Sequence, residues 1–135
     1  MVLENLWGEL PDVSAWRTPA AILREQAAQL ADLTAHVVSA RVESGTTRDN
    51  KFVHSLNVVA PALNDYTLTI ATVWHEISLY PLRMKPFFDN QYLDCYEEKE
   101  FIATLKTILS SPKVISAIGS LIAQSKDKQE NQIIV

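Results

Sequence analysis

The sequence predicts an α+β fold: an N-terminal helix, a four-stranded antiparallel meander, and two C-terminal helices packed on one face of the sheet. Three observations predict it. Apolar residues recur at three- and four-residue steps after Thr18-Pro19, the period changes to two near His36, and the helical period returns after Cys95.

Each element has its own local signal. Threonine caps an orphan N–H, and proline in the first turn lacks an N–H that would otherwise go unpaired, so Thr18-Pro19 opens a helix. Ile22, Leu23, Ala27, Leu30 and Leu33 form its apolar stripe, with Arg24, Glu25, Gln29 and Asp32 on the solvated side. Val38, Ala40 and Val42 then alternate with Ser39, Arg41 and Glu43, as a half-buried strand requires. A polar turn at 45–50 leads to a second strand from about Phe52 to Ala60, with Phe52, His54, Leu56 and Val58 on one face. Asn64-Asp65 tolerates turn geometry and introduces the third strand, Tyr66 to Trp74, rich in β-branched and aromatic residues. Strict alternation would turn Tyr66, Leu68, Ile70 and Trp74 inward. The fourth strand runs from Ile77 to Met84, and Pro81 marks it as an edge strand because proline donates nothing to a ladder. Short connections make the strands antiparallel, since parallel neighbours need long crossovers. Asp94 and Glu97 resemble a capping arrangement before the stripe Phe101, Ile102, Leu105, Ile108 and Leu109. Ser111-Pro112 starts a fresh helix carrying Val114, Ile115, Ile118, Leu121 and Ile122, followed by a polar tail from about Ser125 and an apolar tip at 133–135.

Composition narrows the function classes. With 135 residues, 47% of them hydrophobic, the chain suits a single domain, 1–135, with one real core. One cysteine makes no internal disulfide, which favours a reducing compartment. The first residues lack the basic start and apolar run of a secretory signal, and no apolar stretch reaches the roughly 20 residues of a membrane-spanning helix. A cytoplasmic protein without membrane contact is expected. In size and composition it resembles small acidic bacterial regulatory, immunity or antitoxin proteins, a likeness of general type that implies no particular activity.

Templates for chemistry fail in turn. Gly8, Gly45 and Gly119 are isolated, so neither a phosphate cradle nor a dinucleotide fingerprint is present. His36, His54 and His75 lie too far apart for a local metal-binding pair, and no metal or other cofactor is expected. Cys95 sits before a helix, where a dipole favours thiolate, yet Asp94, Glu97 and Glu98 oppose it. Arg41, Arg48, Lys51, Arg83 and Lys85 with neighbouring aromatics form the one candidate nucleic-acid patch. The net charge of −4 and interleaved acids make nucleic acid an improbable partner. Residues 85–93 have no steady period and are expected as a loop; its Phe87, Phe88 and Tyr92, with Tyr96, Trp7 and Trp16, are read as core plugs, as the lining of a ligand pocket or as anchors for a partner.

Two functional readings remain. In the first, a non-enzymatic interaction or regulatory protein binds a protein partner or a second copy of itself through a sheet face or edge strand. Val53, Val59, Ala71, Val73 and Pro81 are its interface candidates, because an apolar second face and an exposed edge mark association sites. In the second, a small-molecule-binding domain or small enzyme has a pocket between sheet and helices, with His54, Tyr66, Trp74, Tyr80 and Cys95 as pocket candidates and no assigned catalytic residue.

Overall fold

Thr18 begins the first helix as its position implies: the Thr18 Oγ1 accepts a hydrogen bond from the Ala21 N–H at 3.1 Å, and Pro19 follows in the first turn. The computed structural model of the chain describes residues 2–133. Helix α1 (Pro19–Leu33) buries Ile22, Leu23 and Ala27 and ends where Ala35 and His36 take positive φ. Strands β1 (Ser39–Thr46), β2 (Phe52–Ala60), β3 (Tyr66–His75), β4 (Leu82–Pro86) and β5 (Leu93–Cys95) follow, then α2 (Glu98–Leu109) and α3 (Pro112–Ile133). The sheet is antiparallel throughout, in the order β1-β2-β3-β4-β5. The α+β class and the helix–meander–helices order are as the sequence predicts.

The meander has five strands instead of four. Residues 93–95, expected as loop and helix cap, pair with β4 through Leu82–Cys95, Arg83–Asp94 and Met84–Leu93. Conversely, Ile77 to Pro81 is loop. The Leu79 N–H is tied back to the Glu76 carbonyl at 3.0 Å and Leu79 has φ 73°, so a turn replaces the first half of the expected strand. Pro81 therefore stands just outside β4, and β4 is an inner strand; the edges are β1 and β5. The expected edge-strand placement of Pro81 is thus corrected: it lies in the loop before β4. At the other end, α3 continues past Ser125, whose hydroxyl is sealed by donating to the Leu121 carbonyl of its own helix. The apolar tip expected at 133–135 lies at and beyond the end of the described residues.

One irregularity in β3 decides which side chains reach the core. Leu56 pairs with Ala71, but the next β2 residue, Asn57, pairs with Thr69, leaving Ile70 as an extra residue in β3. Because side chains alternate, one inserted residue exchanges the faces on its two sides. Leu68 and Ile70 point to the core before the bulge; Ala71, Val73 and His75 do so after it. Ala71 and Val73, expected on the second face, are 1% and 0% exposed in the core. Trp74, expected inside, is on the outer face, and Tyr66 at the strand's start is exposed.

All three helices join one hydrophobic cluster with the inner face. It includes Leu23, Val58, Val73, Met84, Phe101, Leu105 and Val114. Register shows how the two faces divide. An inner row runs Ser44, His54, Val73, Met84, Leu93 across the five strands; the neighbouring outer row runs Gly45, Val53, Trp74, Arg83, Asp94.

Candidate functional site

The outer row ends in a cleft. Trp74 and Arg83 are direct cross-strand partners, as are Arg83 and Asp94, so alternation places all three side chains on one face. Arg83 Nε donates to Asp94 Oδ1 at 3.0 Å, and its guanidinium carbon stands 5.5 Å from the centre of the Tyr92 ring. Tyr92 in turn meets Trp74 at 5.5 Å between ring centres, tilted by 58°. Arg83 is thus held from two sides. An exposed ion pair of this kind contributes about 0–1 kcal/mol, so its main effect here is to fix the guanidinium between carboxylate and ring.

The rest of the rim comes from loops. The β1–β2 turn is locked by Thr47, whose N–H donates to the Lys51 carbonyl at 2.8 Å and whose hydroxyl donates to Asp49. That hydrogen bond holds the Asp49 carboxyl below its usual range. Pro81, Tyr96 and Glu76 complete a cleft of about 600 Å³ with Trp74, Arg83 and Tyr92. Val53 adjoins Trp74 in the same row, whereas Val59 is buried at the far end of β2 between Ser39 and Thr67.

Beneath the cleft lies a chain of polar groups built on two buried histidines and reached from the exposed Ser44. Ser44 Oγ is 2.7 Å from His54 Nδ1, His54 Nε2 is 2.9 Å from His75 Nε2, and His75 Nδ1 is 2.7 Å from the Glu76 carbonyl. The carbonyl only accepts, so His75 carries its proton on Nδ1 and presents an acceptor Nε2. His54 must then donate from Nε2 and accept the Ser44 hydroxyl at Nδ1. The two ring centres are 5.0 Å apart, mostly spanned by the Nε2–Nε2 hydrogen bond, so the imidazoles meet end to end; Phe52 stacks on His75 at 5.3 Å. Burial lowers the His54 pKa, with His75 and the Arg24 charge adding to it. Among the described residues no third His, Cys, Asp or Glu joins the pair in a metal-holding group.

The five pocket candidates do not converge. His54 is in the inner face below α1, Tyr66 is exposed at the opposite end of β3, and Trp74 lines the outer cleft. Tyr80 and Cys95 lie on the core side, where Tyr80 packs against Phe101 with ring centres 6.5 Å apart. The Tyr80 hydroxyl is buried without a hydrogen-bond partner, and its pKa is pushed up to about 12 by burial, with Glu98 and Cys95 adding and Arg17 opposing. Cys95 is 0% exposed; burial raises its pKa, a Thr104 hydrogen bond opposes this, and Glu100 and Asp94 add to it. A thiol kept protonated and covered is a poor nucleophile.

The basic residues of the candidate nucleic-acid patch are largely committed to acids. Arg41 pairs with Glu43 at 3.1 Å, Lys51 with Asp49 at 3.8 Å, and Arg83 with Asp94. Sequence reasoning missed the cleft because its parts were assigned separately: Trp74 to the core, Arg83 to a basic patch, Tyr92 to a loop and Asp94 to a helix cap. The alternation of Arg83 with the apolar Leu82 and Met84 was the available signal that Arg83 faces outward. No single helix among the described residues is long and apolar enough to cross a membrane. Compared with known proteins, the chain matches no family model, no curated protein and no solved structure.

Proposed function

We propose that this chain is a non-enzymatic interaction protein that binds a protein partner through the outer face of its sheet, with the Trp74–Arg83–Tyr92 cleft as the anchor. The observation that carries the reading is that one arginine and two aromatic rings are held together in a concave, accessible place. Trp, Tyr and Arg are the residue types enriched where binding energy concentrates, and the fixed guanidinium reduces the entropy lost on contact. Edge strands β1 and β5 flank this face and offer backbone groups for pairing with an extended segment. The paired cations favour a protein over a polyphosphate, whose binding draws on a concentrated positive field. The buried thiol of Cys95 fits a reducing, cytoplasmic setting.

The small-molecule alternative places a pocket between sheet and helices. The recess there is about 200 Å³, below the roughly 300–1,000 Å³ of typical ligand pockets, and its lining is almost wholly apolar. Affinity capture with the full chain from a native extract, quantified against Trp74→Ala and Arg83→Ala, tests the interaction reading. A protein retained near one-to-one and lost with both variants supports it. If every retained protein is indifferent to both substitutions, the reading is wrong.

A further inference from the structure

Residues 2–16 form an irregular arm with seven large apolar side chains, Trp7 and Trp16 among them, each between 52% and 94% exposed. Its hydrogen bonds among the described residues are local, such as the Trp7 N–H to Asn5 Oδ1 and the Trp16 N–H to the Val13 carbonyl. Scattered exposed hydrophobics are ordinary, but seven within fifteen consecutive residues make a contiguous sticky segment.

A receiving surface exists on the helical side, opposite the cleft. Helices α1, α2 and the start of α3 leave a groove of about 520 Å³ floored by Ile22, Leu105 and Leu109 and walled by Ile102 and Ile115. Leu109 and Ile115 also border the apolar recess, so the two spaces adjoin. Charge is complementary. The arm carries Glu4, Glu9 and Asp12 with no basic side chain before Arg17. Lys106 on the groove rim takes part in none of the ion pairs formed among the described residues. The rim acid Glu25 is already engaged by Arg17 at 3.3 Å, and Arg17 also reaches Glu98 at 3.8 Å, which fixes the arm's root at the groove mouth.

We infer that the arm of one chain seats in the helical groove of a second copy, reciprocally. Fifteen extended residues reach up to about 50 Å, enough to cross between neighbouring molecules. A tryptophan buries about 150–250 Å², so two arms exchanged at once bring the buried area into the range of about 1,200–2,000 Å² that stable interfaces show, whereas a single seated arm supplies about half. Exchange about a two-fold axis fills both grooves and closes the assembly. This interface uses a different surface from the proposed partner-binding cleft and stands independently of it.

Sedimentation velocity of the full chain across about 1–100 µM, alongside Trp7→Ser/Leu10→Ser, Ile115→Lys and Trp74→Ala, tests the exchange. The expected result is a dimer that Trp74→Ala leaves intact and that the arm and groove variants each weaken at least about tenfold, with unchanged circular dichroism. A monomeric wild type, a dimer indifferent to either the arm or the groove variant, or a dimer lost only with Trp74→Ala overturns the proposal. Should a variant fail to fold, mixing Leu6→Cys and Ile115→Cys chains under mild oxidation replaces it: a disulfide between the two different chains is expected, and none forming overturns the exchange.

Discussion

His54 donates from Nε2 to His75 Nε2 across 2.9 Å, and the Glu76 carbonyl, by accepting from His75 Nδ1, dictates that direction. A buried pair with one shared proton makes stability depend on pH. The folded His54 pKa is lowered from the ordinary 6.5, so below that value the unfolded chain binds more protons than the folded one. The contribution is fully present above about pH 6.5, is lost as pH falls through 6.5, and continues to fall until the lower folded pKa is passed. Thermal melts should therefore decline on acidification from pH 7 towards 5, and His54→Gln should flatten that part of the profile. An unchanged slope in the variant would assign the decline to other groups.

Val73 and Trp74 are adjacent, yet the bulge at Ile70 puts the first in the core and the second in the cleft. The two positions should separate stability from binding. Val73→Ala is expected to cost about 2 kcal/mol through lost burial and the cavity left behind. Trp74→Ala, which gives up the contact of a half-buried ring with Tyr92, should cost less, about 1 kcal/mol, while reducing partner capture. Urea denaturation of both variants checks the first half of this pair, and a Trp74→Ala loss as large as that of Val73→Ala would contradict the face assignment.

The same bulge explains how far the fold can be read from residues alone. Helix α1 is legible because Thr18, Pro19 and the apolar spacing agree, and β2 because its alternation is uninterrupted over Phe52 to Val58. Leu68 and Ile70 in β3 also read correctly, although Tyr66 at the strand's start, expected inside, is exposed. The extra residue there has no marker in sequence: neither glycine nor proline accompanies it, and its carbonyl accepts from the N–H of Phe87, far along the chain, at 2.9 Å. From that point an alternating reading has every side chain on the wrong face. Strand β5 is equally hidden, since three residues carry too little pattern and the Arg83–Asp94 bond that marks the pairing is long-range. The cleft depends on both features, which is why its residue types were visible but their convergence was not.

Tyr80 offers a gain in stability. Its hydroxyl is enclosed without a hydrogen-bond partner, so the folded state carries a desolvation cost that the unfolded chain avoids. Tyr80→Phe keeps the packing against Phe101 and should stabilise the protein by about 1 kcal/mol. A loss of comparable size in chemical denaturation would reveal a hydroxyl interaction that matters.

Cys95 should be inert while the protein is folded. Burial both raises its pKa and covers the sulfur, so iodoacetamide at neutral pH should modify the native chain at least about tenfold more slowly than the urea-unfolded chain. Equal rates would restore Cys95 as a candidate for chemistry.

Site-specific photo-crosslinking bears most directly on the cleft as a protein-binding anchor. A photoreactive phenylalanine analogue replacing Tyr92, which lies in the cleft, is compared in living cells with the same analogue replacing Thr107 on the exposed side of α2. A discrete adduct with another polypeptide at position 92, absent at 107 and lost when Arg83→Ala is added, is the predicted result. Position 92 yielding no protein adduct beyond those at position 107 would contradict the account.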